Sequence, residues 1–243
     1  MDNKETNYRM VDFDTWKRAD RFRYFLNVEK CIITVTANVD VTNFVARCKE
    51  HGLNFYSAFI CLMAYVLNQK EYFRFGYDQK GNVIVYDSIN PFYTDSVGNG
   101  ESFNCIVSDY CSDMNKLYAA IVNDRKKYRN IEILEPVNMA DNIFSITVLP
   151  SVHYTQLELN DASRPDSLAP AIAIGKYEMH EGKLMLPLTL WIHHAVCDGF
   201  HVGKFYEAVE NSMAKIVYEI IKGKGDIENG NDKRTDGCVQ GNG

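Results

Sequence analysis

The stretch that most constrains the fold is an apolar run of strand length, residues 184–190, that leads into the sequence WIHHAVCDGFH at residues 191–201. Apolar residues with helical spacing follow over residues 202–222. This pattern predicts a buried strand that ends in a short loop and continues as a helix. Buried polar groups are costly unless they are paired. Two histidines and an aspartate at a buried strand end therefore indicate a chemical site.

A structural role for these polar residues is the first alternative, because a single histidine at a strand end is more often a hydrogen-bonded structural residue than a catalyst. The spacing His194-x-x-x-Asp198-Gly199 favours function, since Gly199 suits a tight turn and the aspartate can fix the local geometry. A metal site of His193, His194, Asp198 and His201 is the least favoured alternative. The sequence lacks the helical i,i+4 histidine pair or the second ligand cluster typical of zinc sites, so we expect no metal.

Residues 193–203, HHAVCDGFHVG, resemble the active-site signature of the type A chloramphenicol acetyltransferases. The shorter motif His-x-x-x-Asp-Gly is shared by other coenzyme A-dependent acyltransferases, including dihydrolipoyl acyltransferases, plant acyltransferases and peptide-synthetase condensation domains. Plant acyltransferases and condensation domains resemble two fused copies of this unit, and 243 residues leave room for one. The resemblance covers roughly residues 8–222.

The resemblance implies a catalytic role for four residues. His194 would act directly as the general base, without an acyl-enzyme, and His193 would be structural. Arg18 reads from the sequence alone as a solvated surface charge, but the family's Trp-x-Arg pattern implies that it pairs with Asp198 and so holds the loop. The family carries a serine at the Thr147 place, whose hydroxyl donates to the oxyanion. Threonine keeps the hydroxyl, and its methyl group changes the choice of rotamer.

The resemblance also implies that acetyl-CoA is the co-substrate. Lys176 and Tyr177 match a family motif in which the tyrosine lies against adenine and the lysine near phosphate. Asn54 stands where relatives carry another phosphate-facing lysine, and Ser151 replaces a tryptophan that often follows the proline. We therefore expect coenzyme binding to be retained.

The acceptor pocket is matched only in part. Pocket-lining positions of the family correspond to Phe25, Cys31, Phe103 and Leu159. Glu29 and Asp161 fall where relatives carry leucine and valine, and Ala173 falls where they carry a threonine. The resemblance therefore implies O-acetylation of chloramphenicol. The same chemistry on another hydroxylated small molecule, or a non-catalytic binding relative, is the alternative.

Composition excludes several other classes of protein. With a net charge of −6, no affinity for nucleic acid is expected. Seven scattered cysteines without a Cys-x-x-Cys pair favour a reducing compartment. The most apolar segment, residues 55–67, is too short to span a bilayer, and the polar first six residues are no signal peptide. We expect a cytoplasmic protein without a membrane partner.

The periodicity of the chain predicts an α/β fold. Strands are predicted over residues 31–39, 74–77, 82–88, 91–94, 102–107, 142–150, 154–160, 169–177 and 184–190. Helices are predicted over residues 40–50, 55–67, 113–129 and 202–222, and residues 16–25 are typical of a short amphipathic helix or a turn. We expect a two-layer sandwich in which helices cover largely one face of a mixed sheet of some six or more strands. Residues 1–222 would form a single domain, and the polar tail, 223–243, would be disordered. The resemblance implies a homotrimer with active sites between subunits.

Overall fold

The computed structural model describes residues 6–159 and 166–231, with side chains described as far as residue 223. The strands are β1 (Tyr8–Met10), β2 (Ile32–Asp40), β3 (Phe75–Tyr77), β4 (Val83–Tyr86), β5 (Asn90–Val97), β6 (Ser102–Val107), β7 (Ile143–Val148), β8 (Ala171–Ile174), β9 (Glu178–His180) and β10 (Lys183–His193). The helices are α1 (Ala19–Asn27), α2 (Thr42–Glu50), α3 (Phe55–Asn68), α4 (Met114–Tyr128) and α5 (Gly199–Asn231), with a short 3₁₀ turn at Glu71–Phe73.

The main sheet has seven strands in the order β2-β10-β8-β7-β5-β6, with β9 paired to β10. It is mixed, because β7 runs parallel to both β5 and β8 while the remaining pairs are antiparallel. A second sheet of three strands has the order β1-β4-β3. The α/β class with a mixed sheet, predicted from the sequence, is confirmed.

Strand β10 lies inside the sheet between β2 and β8, which explains its continuous apolar sequence. Alternate side chains of β10 belong to the hydrophobic core that the helices share: Leu186, Leu188, Leu190 and Ile192. Thr189 and His193 lie on the opposite face by the same alternation, and both are buried. The strand ends at His193, so the residues that follow emerge where the strands end on one side of the sheet; we call this side the His194 edge.

Helices α3 and α5 form the centre of the helical layer and pack against each other. Ten residues of α3 are buried, and its N-terminus is capped by Asn54, whose side chain accepts a hydrogen bond from the Ser57 amide at 3.0 Å. The apolar stripe of α5 recurs every three or four residues, as the sequence predicts for a helix lying on a core. Within the described ranges, none of the helices carries an apolar stretch of the length needed to cross a bilayer.

Strands β1 and β9 were not predicted from the sequence, and two further differences concern residues 154–159 and the start of the tail. Residues 154–159, predicted to be a strand, join no sheet; residue 160 lies outside the described residues. Tyr154 instead turns inward, where its hydroxyl donates to the Ala173 carbonyl at 2.8 Å and accepts from Thr189 at 3.2 Å. The alternation therefore reflects burial of one aromatic ring rather than a ladder of backbone hydrogen bonds. The expected start of the tail, at residue 223, falls inside α5, and residues 232–243 lie outside the described residues.

Gly175, directly after β8, lies where two segments approach closely, and this gives a stability prediction. A Cβ atom there would lie 2.6 Å from the Val152 carbonyl oxygen, 2.7 Å from Pro187 and 2.9 Å from Tyr154. We expect Gly175→Ala to destabilise the fold by about 1–3 kcal/mol, because backbone must move. In Gly203→Ala, the control within α5, the new methyl meets nothing within 4 Å. That change should raise the melting temperature slightly. Equal melting temperatures for the two variants would contradict the close approach.

Candidate active site

His194 is the first residue after β10, and the chain holds it in two ways. Its amide donates to the Cys31 carbonyl at 2.8 Å, which continues the pairing of β10 with the start of β2. Its imidazole stacks on the Phe25 ring with centroids 3.8 Å apart and planes 5° apart. Within the described residues, the buried Nδ1 atom of His194 has no hydrogen-bond partner. The stacking therefore fixes the plane of the imidazole, while its Nδ1 atom is not committed to any other described side chain.

Arg18 clamps the loop that carries His194. Its guanidinium donates to the carbonyl of His194 at 3.0 Å, to the carbonyl of Ala195 at 3.0 Å and to the carboxylate of Asp198 at 2.9 Å. The two charged side chains are 16% and 33% exposed. A planar guanidinium can make these three bonds at once, whereas a lysine ammonium lacks that fork. Arg18 thus contacts Asp198, the partner that the sequence resemblance implies, and in addition fixes the backbone beside the imidazole.

Asp198 joins this loop to the start of α5. One carboxylate oxygen accepts from Arg18, and the other lies 3.1 Å from the Phe200 amide and 2.7 Å from Nδ1 of His201. Burial raises the pKa of Asp198, but hydrogen bonds from Arg18 and His201 and their positive charge outweigh it and lower the pKa to about 2. The carboxylate is therefore ionised at neutral pH. Among the described residues its partners are these three groups rather than the imidazole of His194.

His193 is buried and lies on the face of the sheet opposite the helices. Its Nδ1 atom accepts a hydrogen bond from the Ala195 amide at 3.1 Å, which places the ring proton on Nε2. Burial lowers the pKa of His193, partly offset by Asp166 and reinforced by His194. His193 is therefore a neutral, buried imidazole that accepts a hydrogen bond from the backbone, which suits a structural role.

A second group of the sequence-predicted residues lies at the opposite ends of the strands from His194; we call this side the Thr147 edge. Thr147, near the end of β7, is in register with Ala173 of β8. Lys176 follows β8, and its ammonium lies 3.3 Å from Glu178. The Tyr177 ring contacts Phe55, the first residue of α3, at a centroid distance of 5.4 Å. The candidate oxyanion donor and the candidate coenzyme residues therefore share one edge.

The strand register separates this edge from His194. Thr147 is in register with Ala173, which is in register with Thr189 of β10, and Thr189 precedes His194 by five residues. At ~3.3 Å per residue along a strand and ~4.8 Å between strands, the backbones of Thr147 and His194 lie roughly 19 Å apart. Within one chain, the candidate base and the candidate oxyanion donor do not meet.

Three of the four pocket-matching residues can be placed at these same two edges. Phe25 and Cys31 contact His194. Phe103 pairs with Ser96 near the distal end of β5, and its side chain is exposed. Leu159 is exposed as well. Within one chain, Phe25 and Cys31 therefore lie at a different edge from Phe103.

The three positions that depart from the family pattern have different environments. Glu29 is exposed in the turn after α1, where its amide bonds to the Tyr24 carbonyl at 3.2 Å. Ala173 is buried, and its carbonyl accepts from Tyr154. Asp161 lies outside the described residues.

His201 is a site residue whose role the sequence reasoning missed, since it was weighed there only as a metal ligand. Its imidazole holds the Asp198 carboxylate from the side opposite Arg18. It also contacts the Tyr72 ring edge-on at a centroid distance of 4.5 Å. The signal available in the sequence was the i,i+3 spacing to Asp198 at a helix N-terminus, which brings the two side chains together.

Truncating the partly buried Arg18–Asp198 ion pair gives a second stability prediction. We expect Arg18→Ala and Asp198→Ala each to cost about 2–3 kcal/mol, below the ~3–5 kcal/mol for a fully buried pair, because both side chains keep some solvent contact. The double variant should cost clearly less than the sum in denaturant unfolding, whereas additive losses would contradict the contact. Since the pKa of Asp198 is lowered, its stabilising contribution is present above the ordinary value of 3.8 and is lost as the pH falls towards about 2.

Known proteins resemble this chain along most of its length. The family profile described as "Chloramphenicol acetyltransferase" matches residues 6–210. The chain is 33% identical over 205 residues to the chloramphenicol acetyltransferase of Clostridium butyricum, covering 84% of this chain and 94% of the relative. It is 31% identical over 210 residues to that of Proteus mirabilis, covering 86% and 96%.

Solved structures share the fold. A chloramphenicol acetyltransferase superposes with a TM-score of 0.73 at 20% identity, covering 85% of this chain and all of the other. A probable dihydrolipoamide acetyltransferase from Listeria monocytogenes gives a TM-score of 0.57 at 19% identity, covering 82% and 91%. At these identities the likeness concerns the fold alone, whereas the profile match and the curated relatives concern the sequence. The chain therefore belongs to the chloramphenicol acetyltransferase family of acyltransferases.

Proposed function

We propose that this enzyme transfers the acetyl group of acetyl-CoA to a hydroxyl of chloramphenicol, and so inactivates the antibiotic in the cytoplasm. The observation that carries the proposal is the loop at the end of β10, where Arg18 holds the carbonyls of His194 and Ala195 together with the Asp198 carboxylate. Relatives that share this sequence over most of its length are named for acetylation of chloramphenicol.

The proposed chemistry needs a base and a donor to the oxyanion. His194 takes the proton of the acceptor hydroxyl as that oxygen attacks the thioester carbonyl, and a tetrahedral intermediate forms. The hydroxyl of Thr147 donates to its oxyanion. Collapse of the intermediate expels the coenzyme A thiolate, which takes up the proton that His194 accepted, so the neutral base is regenerated. Arg18 and Asp198 are positioning residues, because they fix the backbone on either side of the base without contacting its imidazole.

The assembly proposed for this chemistry is a homotrimer with active sites between subunits. Support comes from the separation of roughly 19 Å between Thr147 and His194, which follows from strand spacing and register. A second copy that brings its Thr147 edge against the His194 edge of the first would complete the site. Under this proposal Phe25 and Cys31 line the acceptor pocket from one subunit, and Phe103 and Leu159 line it from the other.

For the coenzyme we propose Lys176 and Tyr177 as contacts. Lys176 is half exposed at the Thr147 edge, so its ammonium can reach a phosphate once it leaves Glu178. The Tyr177 ring packs edge-on against Phe55 at the start of α3, and we propose this ring as the contact for the adenine. Asn54, in place of a lysine, caps α3 and accepts a hydrogen bond from Arg125 at 2.7 Å.

A second candidate is the same reaction on another hydroxylated small molecule. The observation in its favour is the changed acceptor region, with Glu29 exposed near the His194 edge and Ala173 in place of a threonine. A thiol-release assay with acetyl-CoA and a panel of alcohols decides between the candidates. Release that depends on chloramphenicol supports the proposal. Release only with other alcohols supports the second candidate, and release with none contradicts both.

A further inference from the structure

A cluster of three potential metal ligands lies beside the candidate coenzyme residues. His153, Glu178 and His180 each offer one ligand atom, and these atoms all lie within 4.8 Å of one another. Glu178 and His180 are two residues apart on β9, so their side chains leave the strand on the same face. His153 comes from the segment after β7, and its ring centroid lies 5.2 Å from that of His180.

The protonation of His153 suits a metal ligand. Its Nδ1 atom lies 3.0 Å from the backbone carbonyl of Lys176. A carbonyl oxygen can only accept, so Nδ1 is the donor, and in a neutral imidazole the free lone pair is then on Nε2. Histidines that bind metals generally donate their other ring hydrogen in this way, which orients the imidazole and raises its basicity. The hydrogen bond between Nδ1 and the Lys176 carbonyl therefore leaves Nε2 as the ligand atom, and this observation is independent of the distances within the cluster.

We propose that His153, Glu178 and His180 bind a divalent transition-metal ion of the zinc class. Two imidazole nitrogens and a carboxylate oxygen form a donor set that Zn²⁺ accepts, with a water in the fourth position. Mg²⁺ and Ca²⁺ prefer oxygen ligands throughout and do not suit the two histidines. This proposal departs from our sequence-based expectation that the chain binds no metal.

The geometry allows the ion after a small contraction. Zinc bonds of ~2.0–2.1 Å in a tetrahedron place ligand atoms about 3.3–3.4 Å apart, so ligand atoms that lie up to 4.8 Å apart must close by up to about 1.5 Å. His180 is exposed and the other two are partly exposed, so rotation about their side-chain bonds can provide this movement. The ion would also compete with the Lys176 ammonium for the Glu178 carboxylate. That ion pair costs little to break, because both side chains are about half exposed.

The experiment measures Zn²⁺ binding to the untagged full-length protein by isothermal titration, with no substrate present. We expect equimolar binding to the unmodified chain and a loss of affinity of at least tenfold in each of His153→Ala, His180→Ala and Glu178→Gln. His51→Ala is the matched control, since His51 is a partly exposed histidine outside the cluster, and it should bind Zn²⁺ like the unmodified protein. Zn²⁺ should also raise the melting temperature of the unmodified chain and of the control, but not of the ligand variants.

Two results would overturn the proposal. One is no binding of Zn²⁺ by the unmodified protein. The other is unchanged affinity in folded His153→Ala and His180→Ala variants, which would place the ion elsewhere, for instance on cysteines. Circular dichroism establishes that each variant is folded. Because no acetyl transfer is measured, the result is independent of the proposed function.

Discussion

His194→Ala is expected to lower turnover by ~10²–10⁴-fold, the range typical of a lost general base. Without the imidazole, no group near the acceptor hydroxyl takes its proton as the thioester carbonyl is attacked. The backbone of the loop should persist, because the amide of residue 194 still donates to Cys31 and its carbonyl still accepts from Arg18. The loss should therefore appear in kcat rather than in folding.

The measurement combines the thiol-release assay with a circular-dichroism melt. His51→Ala is a matched control, since this histidine belongs to the turn after α2 and contacts Glu50. It should keep both activity and melting temperature. A folded His194→Ala variant with near-normal turnover would sink the assignment of His194 as base.

Thr147→Val is expected to cost on the order of 10²-fold in kcat, by analogy with the loss of other oxyanion donors. Valine keeps the shape of threonine and removes the hydroxyl, so a packing change contributes little. Thr147→Ser keeps the donor and should retain most of the activity. Equal turnover of the valine variant and the unmodified enzyme would show that another group stabilises the oxyanion.

Mixed oligomers test whether the two candidate catalytic groups come from different subunits. His194→Ala and Thr147→Val chains, each expected to keep ~1% of the activity or less, should regain activity when they are refolded together, because some interfaces then pair an intact His194 with an intact Thr147. Random mixing should restore about a quarter of the sites in a closed ring of identical interfaces. If the mixture stays as inactive as its components, a site shared between subunits is contradicted.

Local helices and strands could be predicted from the sequence. The continuous apolar run and the helical spacing after it predict β10 and α5 directly, since both depend on periodicity over neighbouring residues. The same reasoning failed at residues 154–159, where alternation suggested a strand. There the inward ring of Tyr154 is satisfied by Ala173 and Thr189, which are distant in sequence. Periodicity records which side chains are buried, but not which backbone groups pair.

The signature residues were found from the sequence, but their contacts were not. Arg18 is 180 residues from Asp198, and only the resemblance implied that they pair; its bonds to the carbonyls of His194 and Ala195 came from the structure. The contact between Asp198 and His201 likewise came from the structure, because it forms at the start of α5.

The sequence by itself determined the family, the order of most elements and the identity of the candidate base, because these depend on local patterns and a contiguous motif. Only the tertiary structure decided that Thr147 and His194 lie at opposite edges of the sheet, and that His153 meets Glu178 and His180. The reason is that strand order and register fix which distant residues become neighbours. Strand order and register are set by packing of the whole sheet against its helices, and no local sequence pattern records them.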